Sequence, residues 1–279
     1  MDERRKIRMR PLAGRTIVVT RPQDRADEMV ATINRLGGEP LICPMLEVRS
    51  LSEAEKHREL LGKLDKFEWL IFTSASAVET FHFWLEKVGI NALQPALRII
   101  TVGDKTATTV RAQGWQVDAI AKHASAEGVV TTLRQHDVGP DTKIIFPRAL
   151  EGRETIPQEL AKIGVTVVEL PVYETVPTIP VNLDELRKCL LQRKIDAITF
   201  TSPSAVKQCF RLLRVEEWPI FCEICLAAIG CTTATAIRAH GLQVNVVPAT
   251  TSAVALIEAI AEYFKKNLGE TYLVAASQK

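Results

Sequence analysis

Along most of its length the chain alternates short apolar runs with longer stretches whose apolar residues recur every three or four positions. Thr16 to Thr20 is a β-branched run, and Asp24 to Leu36 carries Met29, Ile33 and Leu36 at helical spacing before Gly37-Gly38 stops it. The same rhythm predicts a helix over 53–64, a strand over 69–73, a helix over 75–88, a strand over 98–102, a helix over 105–113, a strand over 116–119 and a helix over 126–135. It resumes with a strand over 143–146 and a helix over 154–163. Strands over 197–201, 225–229 and 243–247 then alternate with helices over 204–213, 232–239 and 252–264. Two stretches break the pattern. Pro40 to Val48 and Val165 to Val176 are apolar but punctuated by proline, so they read as extended segments too interrupted for a central strand. Apolar strands alternating with helices predict an α/β fold of parallel sheets covered on both faces.

The pattern also repeats. Gly103 to Val117 (GDKTATTVRAQGWQV) returns 127 residues later as Gly230 to Val244 (GCTTATAIRAHGLQV), with nine of fifteen positions identical. Phe72-Thr-Ser-Ala-Ser-Ala-Val78 returns as Phe200-Thr-Ser-Pro-Ser-Ala-Val206, and Ile17 to Arg21 returns more loosely as Ile144 to Arg148. A solenoid repeats every 20–50 residues, roughly; this longer period predicts two copies of one small domain with a ligand place between them. Gly37 to Glu47 aligns with Gly164 to Glu174, matching Pro44 with Pro171. Two such extended segments can form a ribbon joining the copies, in which case each copy's first strand–helix unit crosses over to finish the other's sheet. Simple tandem domains, 16–142 and 143–266, fit the spacing equally well.

Composition narrows the function classes. Hydrophobic residues make up 47% and charged residues 24% of the 279, ordinary for a globular protein. The net charge of +2, from 35 basic and 33 acidic residues, gives no nucleic-acid footprint and argues against a membrane-surface protein. No apolar run approaches the roughly 18 residues of a membrane span. The opening MDERRKIRMR lacks a signal peptide's apolar core, and Asp2 and Glu3 argue against a transit peptide, so a solvated tail and a cytoplasmic location are expected. GETYLVAASQK at the other end reads as a second tail. Six cysteines are scattered, and Cys222-Glu-Ile-Cys225 is the one suggestive spacing. Zinc would want a second pair, and a redox pair would follow a strand rather than lead into one, so buried free thiols are expected.

Chemistry concentrates where strands turn into helices. Open α/β sheets bind ligands beyond the carboxyl ends of their strands. The two Phe-Thr-Ser-x-Ser-Ala-Val blocks sit there, and a helix N-terminus with the hydroxyl of Ser74 or Ser202 suits a carboxylate or phosphate. The alternative role for both serines is to cap their helices. Gly103-Asp-Lys-Thr106 and Gly230-Cys-Thr-Thr233 repeat the arrangement at the next strand ends, with Gly103 and Gly230 permitting close backbone approach. No P-loop, Gly-x-Gly-x-x-Gly or Gly-x-Ser-x-Gly is present. His57, His82, His123, His136 and His240 have no ligand spacing and read mostly as surface residues. Acids, bases and nucleophiles are scarce.

Thr20-Arg21-Pro22, Phe72 to Val78, Ala228 to Ala234 and Leu170-Pro-Val-Tyr-Glu-Thr175 together resemble the uroporphyrinogen-III synthase family, in the right order over residues 14–266. The resemblance implies two similar flavodoxin-like domains joined by a two-stranded β-ladder. In that architecture residues 11–38 with 177–267 form one discontinuous domain and 49–164 the other; 39–48 and 165–176 form the ladder, and 1–10 and 268–279 are tails. It implies closure of hydroxymethylbilane, a linear tetrapyrrole, into uroporphyrinogen III with loss of water and inversion of ring D, without cofactor or metal. A carboxylate-rich substrate suits a cleft of helix N-termini, and electron-rich pyrroles lose water easily, so positioning outweighs acid–base machinery. Tyr173 matches the family's active-site tyrosine: a phenol keeps its proton at neutral pH and can donate to the departing oxygen. Packing at the domain junction is its bland alternative. Thr232 matches a family threonine at the same site; Thr233 reads as a cap or backbone-orienting residue. Arg21 and Arg148, equivalent in the repeat, fit substrate carboxylates or a salt bridge between domains or to the C-terminal helix. Lys105, standing where Thr232 stands in the other copy, fits a carboxylate or a solvated face, and Thr106 lies beside it. The expected enzyme is a monomer in transient contact with the upstream hydroxymethylbilane synthase, with no nucleic-acid or membrane partner. A non-catalytic two-domain binding protein for an anionic small molecule, and a flavodoxin-like electron carrier, are the competing readings.

Overall fold

A computed structural model of the chain describes residues 10–51, 54–121, 123, 125–152, 155–213 and 215–277. The chain divides into two units, one made of residues up to 47 and from 176 onward, the other of residues 48–175.

The first unit holds a four-stranded sheet of β1 (Thr16–Val19), β2 (Glu39–Ile42), β9 (Ala197–Phe200) and β10 (Cys225–Ala228), in the order β10-β9-β1-β2. Every pairing is parallel. Successive strand residues face opposite ways, and the core sorts accordingly. Ile17 and Val19 pack with Met29 and Ile33 of α1 (Asp27–Arg35) and with Leu256, Ile257 and Ile260 of α10 (Ala253–Ser277). Val18, Ile198 and Phe200 face the other layer. That layer is built by Leu186 and Leu190 of α7 (Leu183–Leu191), Phe210 of α8 (Pro203–Leu212) and Ile237 of α9 (Cys231–Arg238).

The second unit is covered on both faces in the same way. Its six-stranded sheet has the order β3-β8-β7-β4-β5-β6, from β3 (Leu46–Ser50), β4 (Trp69–Phe72), β5 (Arg98–Val102), β6 (Ala119–Ala121), β7 (Lys143–Ala149) and β8 (Thr166–Pro177). Leu70 and Phe72 face α2 (Ala54–Leu61), α3 (Ala75–Lys87) and α4 (Asp104–Ala112), whereas Trp69 and Ile71 face α5 (Ala126–Arg134) and α6 (Thr155–Ala161). Strands β4 to β8 pair in parallel. Between β3 and β8, the Thr178 N–H donates to the Met45 carbonyl and the Leu51 N–H to the Val172 carbonyl, so one index rises as the other falls and the pair is antiparallel. Both boundaries between the units fall within these two strands. Strand β1 lies between β2 and β9, in one sheet with β10, and β7 lies beside β4, so the connectivity is the crossed one and not the tandem one.

Three expectations need correction. Pro40 to Val48 is not one extended segment: residues 39–42 form the edge strand β2, and pairing with β8 begins only at Leu46. An edge is where a proline such as Pro40 is tolerated. A helix over Leu183–Leu191 is absent from the sequence reading, although Leu183, Leu186 and Leu190 mark its buried stripe. The C-terminal helix continues to Ser277, carrying Gly269 inside at a cost of about 1 kcal/mol. Of the expected amino-terminal tail, residues 1–9 lie outside the described residues.

The duplication reappears in the hydrogen bonds. The Ile99 N–H donates to Asp118 Oδ2 at 2.7 Å, and 127 residues on the Leu226 N–H donates to Asn245 Oδ1 at 2.8 Å. In both copies a side chain serves the second residue of a neighbouring strand. The ladder therefore starts later than the pattern suggests: the predicted strand over 116–119 begins at Ala119, and that over 243–247 reduces to a bridge between Ala227 and Val246. Asp118→Ala should leave a buried N–H without an acceptor and lower the stability of this unit by about 1–2 kcal/mol, read as a lower urea midpoint. Asp118→Asn keeps an oxygen in place and should lose less than half of that; equal losses would rule out the strand-start bond as the cause.

Candidate active site

The candidate residues of the second unit gather at the carboxyl edge of its sheet. After β4 the chain turns through Thr73 and Ser74 into α3. Ser74 is extended (φ −154°, ψ 152°), and its Oγ accepts the Ala77 N–H at 3.1 Å. Ser202 does the same before α8, accepting the Ala205 N–H at 3.1 Å. Both serines are therefore helix caps. Ser74 does more: its Oγ lies 3.1 Å from the Tyr173 hydroxyl.

Tyr173 reaches Ser74 because β8 is irregular there. Arg148 pairs with Pro171 but Ala149 pairs with Tyr173, so Val172 is an extra residue on β8. A bulge of this kind bends the strand and re-aims a side chain. In consequence the adjacent residues Val172 and Tyr173 are both buried in the same core cluster, which regular alternation would forbid. Tyr173 is 6% exposed. Its ring helps line a cavity of about 570 Å³ with Thr73, Val102, Ser125, Phe146, Arg148 and Thr155 among the lining residues. These positions follow β4, end β5, lie within β7 and β8, lead into α5 or begin α6. Ser125 caps α5 by accepting the Gly128 N–H at 3.1 Å.

Arg148 also lines this cavity and is 8% exposed. Its guanidinium pairs with Glu169 on the neighbouring strand, and its Nε donates to the Ala149 carbonyl at 3.2 Å. The partner is thus within the same sheet, not the C-terminal helix. A buried arginine already neutralised by a carboxylate presents a weaker field to an anion than a bare one.

The two repeat glycines differ. Gly103, before α4, has φ +82° and ψ 160°, a conformation that is essentially restricted to glycine. Gly230, before α9, is extended at φ −171°, where any residue fits. Thr106 and Thr233 are buried, while Lys105 and Thr232 are exposed. Arg21 is half-buried beyond β1. Tyr173, Ser74 and Arg148 are thus brought together in the second unit. Gly103, Lys105 and Thr106 sit at an adjacent helix start of that unit; Arg21, Ser202, Gly230, Thr232 and Thr233 belong to the first.

The expectation of buried thiols holds for Cys43, Cys209 and Cys225, whereas Cys222 and Cys231 are exposed. Burial pushes the Cys225 thiol up to about 12, against a smaller opposing effect of Arg15, and burial with the Glu185 charge does the same for Cys43. Neither is a nucleophile at neutral pH. No group of three or more His, Cys, Asp or Glu able to hold a metal ion exists among the described residues, and no described helix is long and apolar enough to cross a membrane.

Two residues near the tyrosine escape sequence reasoning. Ser125 is signalled by its place immediately before the predicted helix over 126–135, as a cap would be. His57, read as a surface residue, is buried at 1% exposure, with Nε2 2.8 Å from the Pro171 carbonyl and its ring stacked on Trp84 at 4.4 Å. A lone histidine in a helix of alternating charges gives no such warning. What the cluster can do chemically is limited and specific. Ser74 Oγ spends one lone pair on Ala77 and keeps a proton and a second lone pair, so it can donate to the Tyr173 oxygen or accept from it.

Comparison with known proteins gives a consistent result. The family model for uroporphyrinogen-III synthase HemD matches residues 27–258. The uroporphyrinogen-III synthase of Synechococcus elongatus is 32% identical over 205 residues, 73% of this chain and 76% of its own length. That of Chlorobaculum parvum is 28% identical over 253 residues, 90% of this chain and 100% of its own. Among solved structures, uroporphyrinogen-III synthetase from Helicobacter pylori covers 89% of this chain and 99% of its own at a TM-score of 0.52 and 18% identity, a likeness of fold.

Proposed function

The chain belongs to the uroporphyrinogen-III synthase family, a family of cyclising hydro-lyases, and from that membership we propose that it closes hydroxymethylbilane with Tyr173 as the proton donor to the departing hydroxyl. The observation that carries the assignment of the donor is the Tyr173–Ser74 contact of 3.1 Å at the wall of the cavity.

The steps follow from the substrate's chemistry. The ring A pyrrole pushes electrons toward its hydroxymethyl carbon; the C–O bond breaks, the oxygen takes the Tyr173 proton and leaves as water. The azafulvene that remains is attacked by the substituted α-carbon of ring D, giving a spiro centre. That centre opens and recloses at the other side of ring D, and the α-proton lost at the end restores the tyrosine. Ser74, donating to the Tyr173 oxygen, steadies the charge that builds there, and the α3 N-terminus adds its positive dipole end. Because the pyrroles supply most of the driving force, the protein's larger task is to hold the chain for inverted closure. Ser202, Gly103, Lys105, Thr106, Gly230 and Thr233 are assigned to the acidic side arms, with Arg21 and Arg148. For Thr232, exposed at the start of α9, we propose a role alongside Tyr173.

In this reading the enzyme is a cytoplasmic monomer that takes its substrate through transient contact with the upstream synthase. Hydroxymethylbilane closes spontaneously to the wrong isomer, so a short transfer limits that loss. The test is the disappearance of enzymatically generated hydroxymethylbilane at catalytic protein concentrations. A rate proportional to protein, with many substrates consumed per chain, is expected. Retention of one linear tetrapyrrole per chain without consumption would leave only a binding protein.

A further inference from the structure

The bulge that aims Tyr173 is held in part by a side chain from a separate element, and we infer that His57 is a positioning residue for the reaction, acting through Tyr173. The inference rests on the family reading above.

Three consecutive carbonyls of β8 are tied down at the bulge. The Tyr173 carbonyl accepts the Leu150 N–H at 2.7 Å, and the Val172 carbonyl accepts the Leu51 N–H at 3.1 Å. The Pro171 carbonyl instead meets His57 Nε2 at 2.8 Å. A bulge disrupts the ladder locally and leaves backbone groups without a strand partner. Here an imidazole N–H from α2 donates to one of the carbonyls at the bulge. The acceptor fixes the role of the ring: facing a carbonyl, Nε2 carries the proton.

The ring has little freedom to do anything else. It is 1% exposed and lies parallel to the Trp84 indole, with centroids 4.4 Å apart and an interplanar angle of 6°. Trp84 belongs to α3, the helix that Ser74 caps. His57 therefore touches the backbone two residues before Tyr173 and, through Trp84, the helix that Ser74 caps. Releasing the Pro171 carbonyl lets the bulge relax and the phenol drift from Ser74, and displacements of an ångström at a reacting group lower rates steeply.

The experiment is a double-mutant cycle on turnover and product isomer. In the wild-type background His57→Leu, which fills the space but cannot donate, should lower kcat about tenfold with KM changed less than about twofold. It should also raise the share of the type I isomer. His57→Gln, whose amide can reach the same carbonyl, should restore at least half of the lost rate. In the Tyr173→Phe background His57→Leu should cost less than about twofold more, because what it positions is gone. Should His57→Leu fail to fold, His57→Asn, whose amide stops short of the Pro171 carbonyl, takes its place. The same tenfold loss in both backgrounds, or equal losses for Leu and Gln, would overturn the inference and leave His57 a packing residue. A His57→Leu chain as active as wild type would overturn it alone, the family reading standing. A wild-type chain forming no type III isomer would overturn both.

Discussion

Replacing Tyr173 by Phe should slow turnover of hydroxymethylbilane about 10- to 100-fold while leaving the protein folded. The size follows from what is lost and what remains. General acids contribute about 10²–10⁴-fold in typical enzymes, but this leaving group is already pushed by a pyrrole, which places the loss at the lower end. The structural cost is small by comparison. The hydrogen bond between the hydroxyl and Ser74, at 3.1 Å, is a neutral one worth about 1 kcal/mol. The ring stays in its core cluster. Kinetics and stability should therefore separate: kcat falls, KM stays within a few-fold, and the melting temperature barely moves. Ser74→Ala should show a smaller fall, since it removes the group that steadies the phenol but not the proton itself. An unchanged kcat in Tyr173→Phe would remove the tyrosine from the chemistry and return it to packing.

Phe72→Ala should be the more damaging change to the fold, lowering the stability of the second unit by about 3–5 kcal/mol. Phe72 is fully buried at the end of β4. Its ring meets Phe81 edge-on at 5.6 Å and stacks on Trp115 at 6.1 Å. Truncation removes the transfer free energy of the ring and leaves a hole between two rigid aromatics that cannot close it. Thr73 and Ser74 follow directly, so the loosened strand end also reaches the site. Hydrogen exchange should show the loss in the amides of β4, β5 and β7. The control is Phe83→Ala in α3, 41% exposed, which should cost less than about 1 kcal/mol. Similar losses in the two variants would mean that the core is not organised around Phe72.

The sequence made the sheets legible because their strands are buried on both faces, so apolar runs bounded by turns stand out. The run over 98–102 coincides with β5. What it hid were decisions made by partners distant in sequence. Asp118 and Asn245 satisfy the N–H groups of Ile99 and Leu226 with side chains, which delays pairing in a way that no local pattern records. Pro40 and Pro171 look alike, but Pro40 lies on an edge strand while Pro171 sits inside a sheet, its neighbour Val172 bulged out of register. That bulge, and not the identity of Tyr173 alone, brings the phenol to Ser74. The same limit applies to Arg148, whose partner Glu169 is set by strand order. The repeat foresees like environments at Gly103 and Gly230, yet their backbones differ, φ +82° against −171°.

The most direct measurement is the isomer composition of the product. Hydroxymethylbilane generated in place and incubated with catalytic amounts of the chain should yield uroporphyrinogen predominantly of type III, its share rising with protein concentration as catalysed closure outruns spontaneous closure. Type I isomer alone, formed at the rate seen without protein, would contradict the account.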